Sequence, residues 1–371
     1  MNTYPLQSIT QEQAVELQFK VVDCITHHFS GREILSLGDL GLSSEGEKPS
    51  TTVFAEKAIA DIFEAEAAVL VQGAGTGAIK WSLFSCVDAG DSVLIHTSPT
   101  YPTTLTTLEI MGINRVEADF NDPDNLKKII KEHGKNLKAA LIQHTRQAAG
   151  DSYDLAETIG IIRKNAVGIK IIVDDNYAAM KAPKIGCQCG ADLSTFSCFK
   201  LLGPEGLGVV VGSGECIKKI AALQYSGGSK VQGHEAMAVL RGMVYAPVAF
   251  AIQARVCEEL AARLNAGEVQ GVEKAWVANA QSKVVLVRFS EPIATDILRV
   301  CERFGAAVYP VGSESRYEIA PLFYRISGTF RANDPQSEKY ILRINPMRSG
   351  VGTILGILRQ SMERISKKDI R

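Results

Sequence analysis

A chain of 371 residues exceeds what one hydrophobic core usually serves, so a large unit with a smaller one beside it is the expectation. Forty Lys and Arg stand against forty-one Asp and Glu, a formal net charge of -1, which excludes the field of one sign that would draw in nucleic acid or an anionic membrane. The partner expected from this balance is a small molecule.

The opening Met1-Asn2-Thr3-Tyr4-Pro5 has no basic stretch leading into an apolar one. No later run reads as the roughly 20 apolar residues that cross a bilayer, so a cytoplasmic location is expected. Eight cysteines without paired spacing fit reduced thiols. The tight pair Cys187 and Cys189 lacks a second pair at zinc spacing, and no metal site is expected.

In chain order, Thr10 stands in capping-box relation to Gln13 and opens an amphipathic helix. A polar Gly/Ser stretch from Gly38 to Ser50 follows as loop. Residues 1–50 are read as helix and loop belonging to the small unit or to a dimer arm, 51–248 as the large unit, and 249–371 as the small one. From about 66 to 212, β-rich apolar runs alternate with helical stretches, the pattern of βαβ units and a mainly parallel sheet. The strands are read at Ala67 to Val71, Ser92 to Thr97, Ala139 to Gln143, Ile169 to Asp174, Leu193 to Ser197 and Gly208 to Gly212. A long helix is expected from about 245 to Ala266, then strands at Val284 to Phe289 and Tyr340 to Ile344 within an α+β unit.

Open parallel sheets place ligands at the carboxyl ends of their strands, and the chemistry-bearing segments fall there. Gly73-Ala74-Gly75-Thr76-Gly77-Ala78 follows the first strand and opens a helix, where free amides and the dipole favour an anion. It has neither the dinucleotide fingerprint nor the Lys-Ser/Thr of a P-loop, and a plain tight turn is the alternative. Pro99-Thr100-Tyr101-Pro102 offers an aromatic face. Ile171-Ile172-Val173-Asp174 drives a carboxylate to the inner edge of the sheet, where it needs a partner such as a protonated pyridine nitrogen. Phe196-Ser197-Cys198-Phe199-Lys200 sets a lysine just after a strand, before the turn Gly203-Pro204-Glu205-Gly206. Tyr225-Ser226-Gly227-Gly228-Ser229 is a hydroxyl-bearing turn beyond.

In this order the segments resemble the fold-type I enzymes of pyridoxal 5′-phosphate (PLP), the aspartate aminotransferase superfamily. The Lys200 turn is similar to the class V aminotransferase and cysteine desulfurase branch. Ala67 to Ser98 and Gln143-His144-Thr145-Arg146-Gln147 are similar to the methionine γ-lyase-like proteins. Nearly the whole chain resembles the YhfS-like proteins, a family whose likeness implies fold and cofactor but no particular substrate.

The resemblance implies an α/β fold with a seven-stranded-type sheet in the PLP-binding domain, and Lys200 as the Schiff-base lysine. It implies Asp174 as partner of the pyridine nitrogen, Tyr101 stacking on the ring, and Gly75, Thr76, Gly77 and Ser197 at the phosphate. Ser229 would reach the phosphate from a neighbouring subunit, which implies a homodimer with shared sites. Arg343, in Leu342-Arg343-Ile344-Asn345, would bind the α-carboxylate of an amino acid or related amine. His144, Arg146 and Gln147 stand where many relatives present Asn to the ring, with His144 and Arg146 as further substrate candidates. Phe199 replaces the histidine that class V enzymes carry before the lysine.

Transamination is the leading expectation. The alternatives are β- or γ-elimination from a sulfur amino acid, a PLP-binding protein without turnover, and an unrelated nucleotide-binding α/β protein. A desulfurase fits less well, because Cys198 reads as buried structural sulfur. Arg316, Arg325 and Arg331 are candidates for a second anionic group.

Overall fold

The computed structural model describes residues 2–43, 47–280, 282–311, 314–326 and 335–367. Its larger sheet contains β1 (Ala67–Gln72), β2 (Ser92–His96), β3 (Asn114–Ala118), β4 (Leu137–Gln143), β5 (Lys170–Asp174), β6 (Leu193–Ser197) and β7 (Leu207–Gly212). Among the described residues they form one sheet in the order β1-β7-β6-β5-β4-β2-β3. β7 runs antiparallel to both β1 and β6, while the pairs β6–β5, β5–β4, β4–β2 and β2–β3 are parallel. The carboxyl ends of β1, β2, β4, β5 and β6 therefore share one edge with the start of β7.

The helices up to the small unit are, in chain order, α1 (Gln11–His28), α2 (Gly31–Ile34), α3 (Ser50–Ile62), α4 (Ala74–Cys86), α5 (Pro102–Ile110), α6 (Pro123–His133), α7 (Leu155–Asn165), α8 (Gly214–Leu223) and α9 (Gly233–Asn265), and the small unit adds Ala294–Val300, Ser337–Tyr340 and Val351–Ser366. The capping box of Thr10 and Gln13 opens α1. Strands β5 and β6 are buried along their length, as helix-covered parallel strands must be. β3 is the exception, an edge strand in which only Ala118 is buried, which is why it carries no apolar run.

The smaller sheet orders β10 (Leu322–Arg325), β11 (Ile341–Asn345), β9 (Ser282–Phe289) and β8 (Val272–Ala280), all antiparallel. Val21, Ile25 and Phe29 of α1 share a core with α3, β1 and α9, so α1 packs on the large unit. Residues 3 and 6 bond to Val277 and Asn279 of β8.

The long helix begins at Gly233, well before the expected 245, and continues through Pro247. Its first half, from Ala236 to Phe250, belongs to the large core, and Val256 to Leu264 to the small one. A boundary at 248/249 thus falls inside a helix that both units share. By length and composition this segment is apolar enough to cross a membrane, an exception among the described residues to the sequence reading, but more than half of that window is buried within the protein.

Candidate active site

At the shared strand edge lies a cleft of about 610 Å³. It is lined by Gly75, Thr76, Tyr101, Asp174, Ser197 and Lys200, all singled out by the sequence, together with Gln143, Thr145, Asn176, Tyr177 and Phe199. Each side chain is fixed by where its strand stops. Asp174, the last residue of β5, pairs in register with Gln143 of β4 and with Thr195 of β6.

Asp174 accepts bonds from the Asn176 backbone amide at 3.0 Å and side-chain amide at 2.8 Å. The Asn176 side-chain oxygen takes the Ser197 amide at 2.9 Å, tying the ends of β5 and β6 together. Burial nevertheless pushes the Asp174 carboxyl up to about 6, against the pull of those amides.

Lys200 sits in the short 3₁₀ turn Cys198–Leu201, which closes on Leu202 in the left-handed region at φ 62°. Helix α9 braces this turn at Gly242, where any Cβ would stand 2.6 Å from the Gly203 amide. Lys200 donates to the Tyr177 hydroxyl, and its ammonium lies 3.7 Å from that ring's centroid. Burial draws Lys200 down to about 7, close to half neutral at neutral pH, a state suited to proton transfer. Tyr177 holds φ 65°, a conformation costing a bulky residue about 1–3 kcal/mol, and burial raises its hydroxyl well above the usual range.

The opposite wall is the start of α4. The amides of Gly73 and Ala74 bond the Gly206 carbonyl and that of Gly77 bonds the Gly73 carbonyl, and among the described residues those of Gly75 and Thr76 are left for a ligand. A Cβ on Gly75 would meet Asn176 at 2.5 Å, so only glycine admits this approach. Gly77 lies inside α4, packed on the Gln72 carbonyl, and acts on the cradle through the helix. The Ser197 hydroxyl is buried with no partner among the described residues. An unpaired buried hydroxyl costs about 1–3 kcal/mol, so an acceptor is owed to it. Two free amides at a helix N-terminus and an orphaned hydroxyl fit a phosphate, a buried carboxyl fits a ring nitrogen, and a depressed lysine fits an aldehyde. The residues present fit PLP.

This geometry agrees with known proteins. The pattern of the Cys/Met metabolism PLP-dependent enzymes matches residues 45–277, and that of the YhfS-like C-terminal domain matches 258–358. The chain belongs to the Cys/Met metabolism PLP-dependent enzymes. It is 52% identical to YhfS of Escherichia coli over 365 residues, covering 98% of this chain and all of the other. The crystal structure of that PLP-dependent protein superposes with a TM-score of 0.96. The fold is also that of a Listeria monocytogenes putative cystathionine β-lyase involved in aluminium resistance, at 18% identity, TM-score 0.71 and 96% of both chains. It recurs in a cystathionine γ-lyase of Micromonospora echinospora, at 16% identity and TM-score 0.72, over 94% and 99% of the chains. The enzyme is therefore PLP-dependent, and the likeness carried by Ala67 to Ser98 and Gln143 to Gln147 is the stronger one, the class V likeness of the Lys200 turn the looser. Transamination, the leading expectation, finds no support among these relatives.

Other sequence candidates lie away from the cleft. His144 points to Asp175, 2.6 Å from its carboxylate, and both are buried. Arg146 donates to the Tyr4 carbonyl at 3.1 Å and the Tyr153 carbonyl at 2.9 Å, with its guanidinium over the Tyr153 ring. Strand alternation explains the miss: Gln143, the true end of β4, faces the cleft, and His144 the other side. Gln147 donates its side-chain amide to Gln143 and lines an adjoining pocket that shares Tyr101, Gln143 and Asp174 with the cleft. Ser229 is held by the Ser226 carbonyl in an exposed turn. Arg343 of β11 stacks 3.7 Å from the ring of Tyr324, its register partner on β10. Arg316 pairs with Glu205 and Arg325 with Glu338, while Arg331 falls outside the described residues. Cys198 is fully buried, which pushes its thiol up.

Proposed function

We propose that this enzyme eliminates a thiol from a sulfur-containing amino acid, by β- or γ-elimination. The observation that carries the reading is the Cys/Met metabolism pattern over residues 45–277, which spans every cleft residue named above. PLP bound here supplies an electron sink that weakens the Cα–H bond of an amino acid. The chain's own part is proton traffic and placement. Lys200, close to half neutral at neutral pH, takes the Cα proton, and Tyr177 orients its nitrogen. Tyr101, 40% exposed at the cleft mouth, lends a ring face for stacking and a hydroxyl that can protonate the departing sulfur. Asp174 offers its carboxylate to the ring nitrogen, and Arg343 pairs with the substrate α-carboxylate.

A homodimer with shared sites completes the reading. Supporting it are the exposed Leu35, Leu37, Leu40 and Leu42, and the exposed Tyr225 to Gly228 turn that leads into Ser229. A cytoplasmic location fits eight cysteines that are all free thiols. Incubating purified enzyme with thioether amino acids tests the reaction. Thiol and ammonia released with the visible absorbance retained support elimination. One equivalent of 2-oxo acid with loss of that absorbance and no thiol means transamination, and no turnover of any amine means a binding protein.

A further inference from the structure

Behind Tyr177 a set of charged side chains is buried that the proposed chemistry does not use. Lys181 lies 5.2 Å from the Tyr177 ring centroid and 4.4 Å from that of Phe250 on α9. It forms an ion pair with Glu314, which is 1% exposed. The second Glu314 oxygen accepts from the Gln253 side-chain amide at 2.9 Å, and the Gln253 oxygen accepts from Arg348 at 3.0 Å. The chain of bonds thus runs from Lys181 of the large unit to Glu314 of the small unit, and from there through Gln253 of the shared helix to Arg348. It lines a second cavity whose wall includes Tyr177 itself.

Burying an ion pair this deeply is a poor source of stability, since desolvation consumes most of the attraction. Its placement suggests another use. Lys200 and Lys181 both lie against the Tyr177 ring, and Glu314 is the carboxylate bonded to Lys181 there. We propose that the Lys181–Glu314 pair is a positioning unit for Lys200, coupling the seat of the small unit to the Tyr177 hydroxyl and to the charge that Lys200 feels. This rests on Lys200 as the cofactor lysine, and not on which reaction follows.

The charges facing Lys200 come from Asp174 at the end of β5, Tyr177 and Lys181 beyond it, and Glu314 and Glu318 from the small unit. Tyr101 at the start of α5 and Arg343 of β11 act on Tyr177. Among them Glu314 favours a proton on Lys200 and Lys181 opposes one.

The test is a pH titration of the visible absorbance of the PLP-loaded protein without substrate, which follows the proton on the Lys200 nitrogen. Glu314→Gln lowers the midpoint by about half a unit or more, roughly a threefold loss of proton affinity. Lys181→Met raises it by a similar amount, and the double variant returns close to the parent. Glu314→Asp, which keeps the charge but withdraws it by one methylene, moves the midpoint down by less and stands in if Glu314→Gln does not fold. The proposal is overturned if these midpoints stay within about 0.2 unit of the parent while melting temperatures fall, or if the Glu314 and Lys181 variants shift in the same direction. No amino acid is present, so failure of the elimination reading leaves this titration unaffected.

Discussion

Asp174→Asn makes the cofactor-free protein more stable at neutral pH, and the gain disappears in acid. The carboxyl stands at about 6 in the folded chain against an ordinary 3.8, chiefly through burial. The folded state therefore holds this proton more tightly than the unfolded one. The penalty for the ionised form is absent below about pH 4, grows as pH rises through the window, and is complete above about pH 6. A shift of about two units at roughly 1.4 kcal/mol each gives a penalty of about 3 kcal/mol. Asn removes the titration but keeps an oxygen for the two Asn176 amides. Urea unfolding of both cofactor-free proteins from pH 4 to 7.5 measures the difference at each pH. The expected result is a variant-minus-parent stability near zero at pH 4 that climbs to about 3 kcal/mol at pH 7. A difference that does not change with pH refutes the placement of a carboxyl with its proton held by burial here. Bound PLP reverses the ranking, because Asn offers its ring nitrogen no charge.

Ser197→Ala leaves the stability of the cofactor-free chain unchanged or slightly raised, since its hydroxyl has no partner among the described residues, but weakens PLP retention. The loss of one bond to a charged phosphate, about 1.5–3 kcal/mol, corresponds to roughly 10- to 150-fold in a dialysis or fluorescence titration. Gly75→Ala forces Asn176 aside, since the new methyl would stand 2.5 Å from its amide. It loosens both Asp174 and the Ser197 amide, and PLP affinity falls further than in Ser197→Ala. Arg146→Ala lowers stability by about 1–3 kcal/mol in denaturant unfolding through the carbonyls it abandons, while KM for the amino acid stays at the parental value.

Much of the cleft was legible because parallel strands deliver their last residues to one edge, which places Asp174, Ser197 and, just beyond, Lys200 together, while their roles came from the family resemblance. What escaped depended on facts a single segment does not carry. The direction of β7 follows from pairing with two distant strands, and β3 hides because an edge strand buries only Ala118. The start of α9 was obscured by Pro247, which breaks isolated helices but is tolerated where both cores grip the helix. Gln143 was passed over by one position for His144, although its pairing opposite Asp174 follows once β4 and β5 are aligned. Tyr177 stood in view beside Asp174, but its grip on Lys200 requires a left-handed turn that sequence does not announce for tyrosine. The sharing of α9 between the units, and the charged pair behind Tyr177, are products of tertiary packing alone.

The most direct test of the central claim is borohydride reduction of the PLP-loaded protein followed by peptide mass mapping. The account predicts a single phosphopyridoxyl adduct on the peptide containing Lys200, absent from Lys200→Ala. An adduct carried by another lysine, or none on a protein that binds PLP, would contradict it.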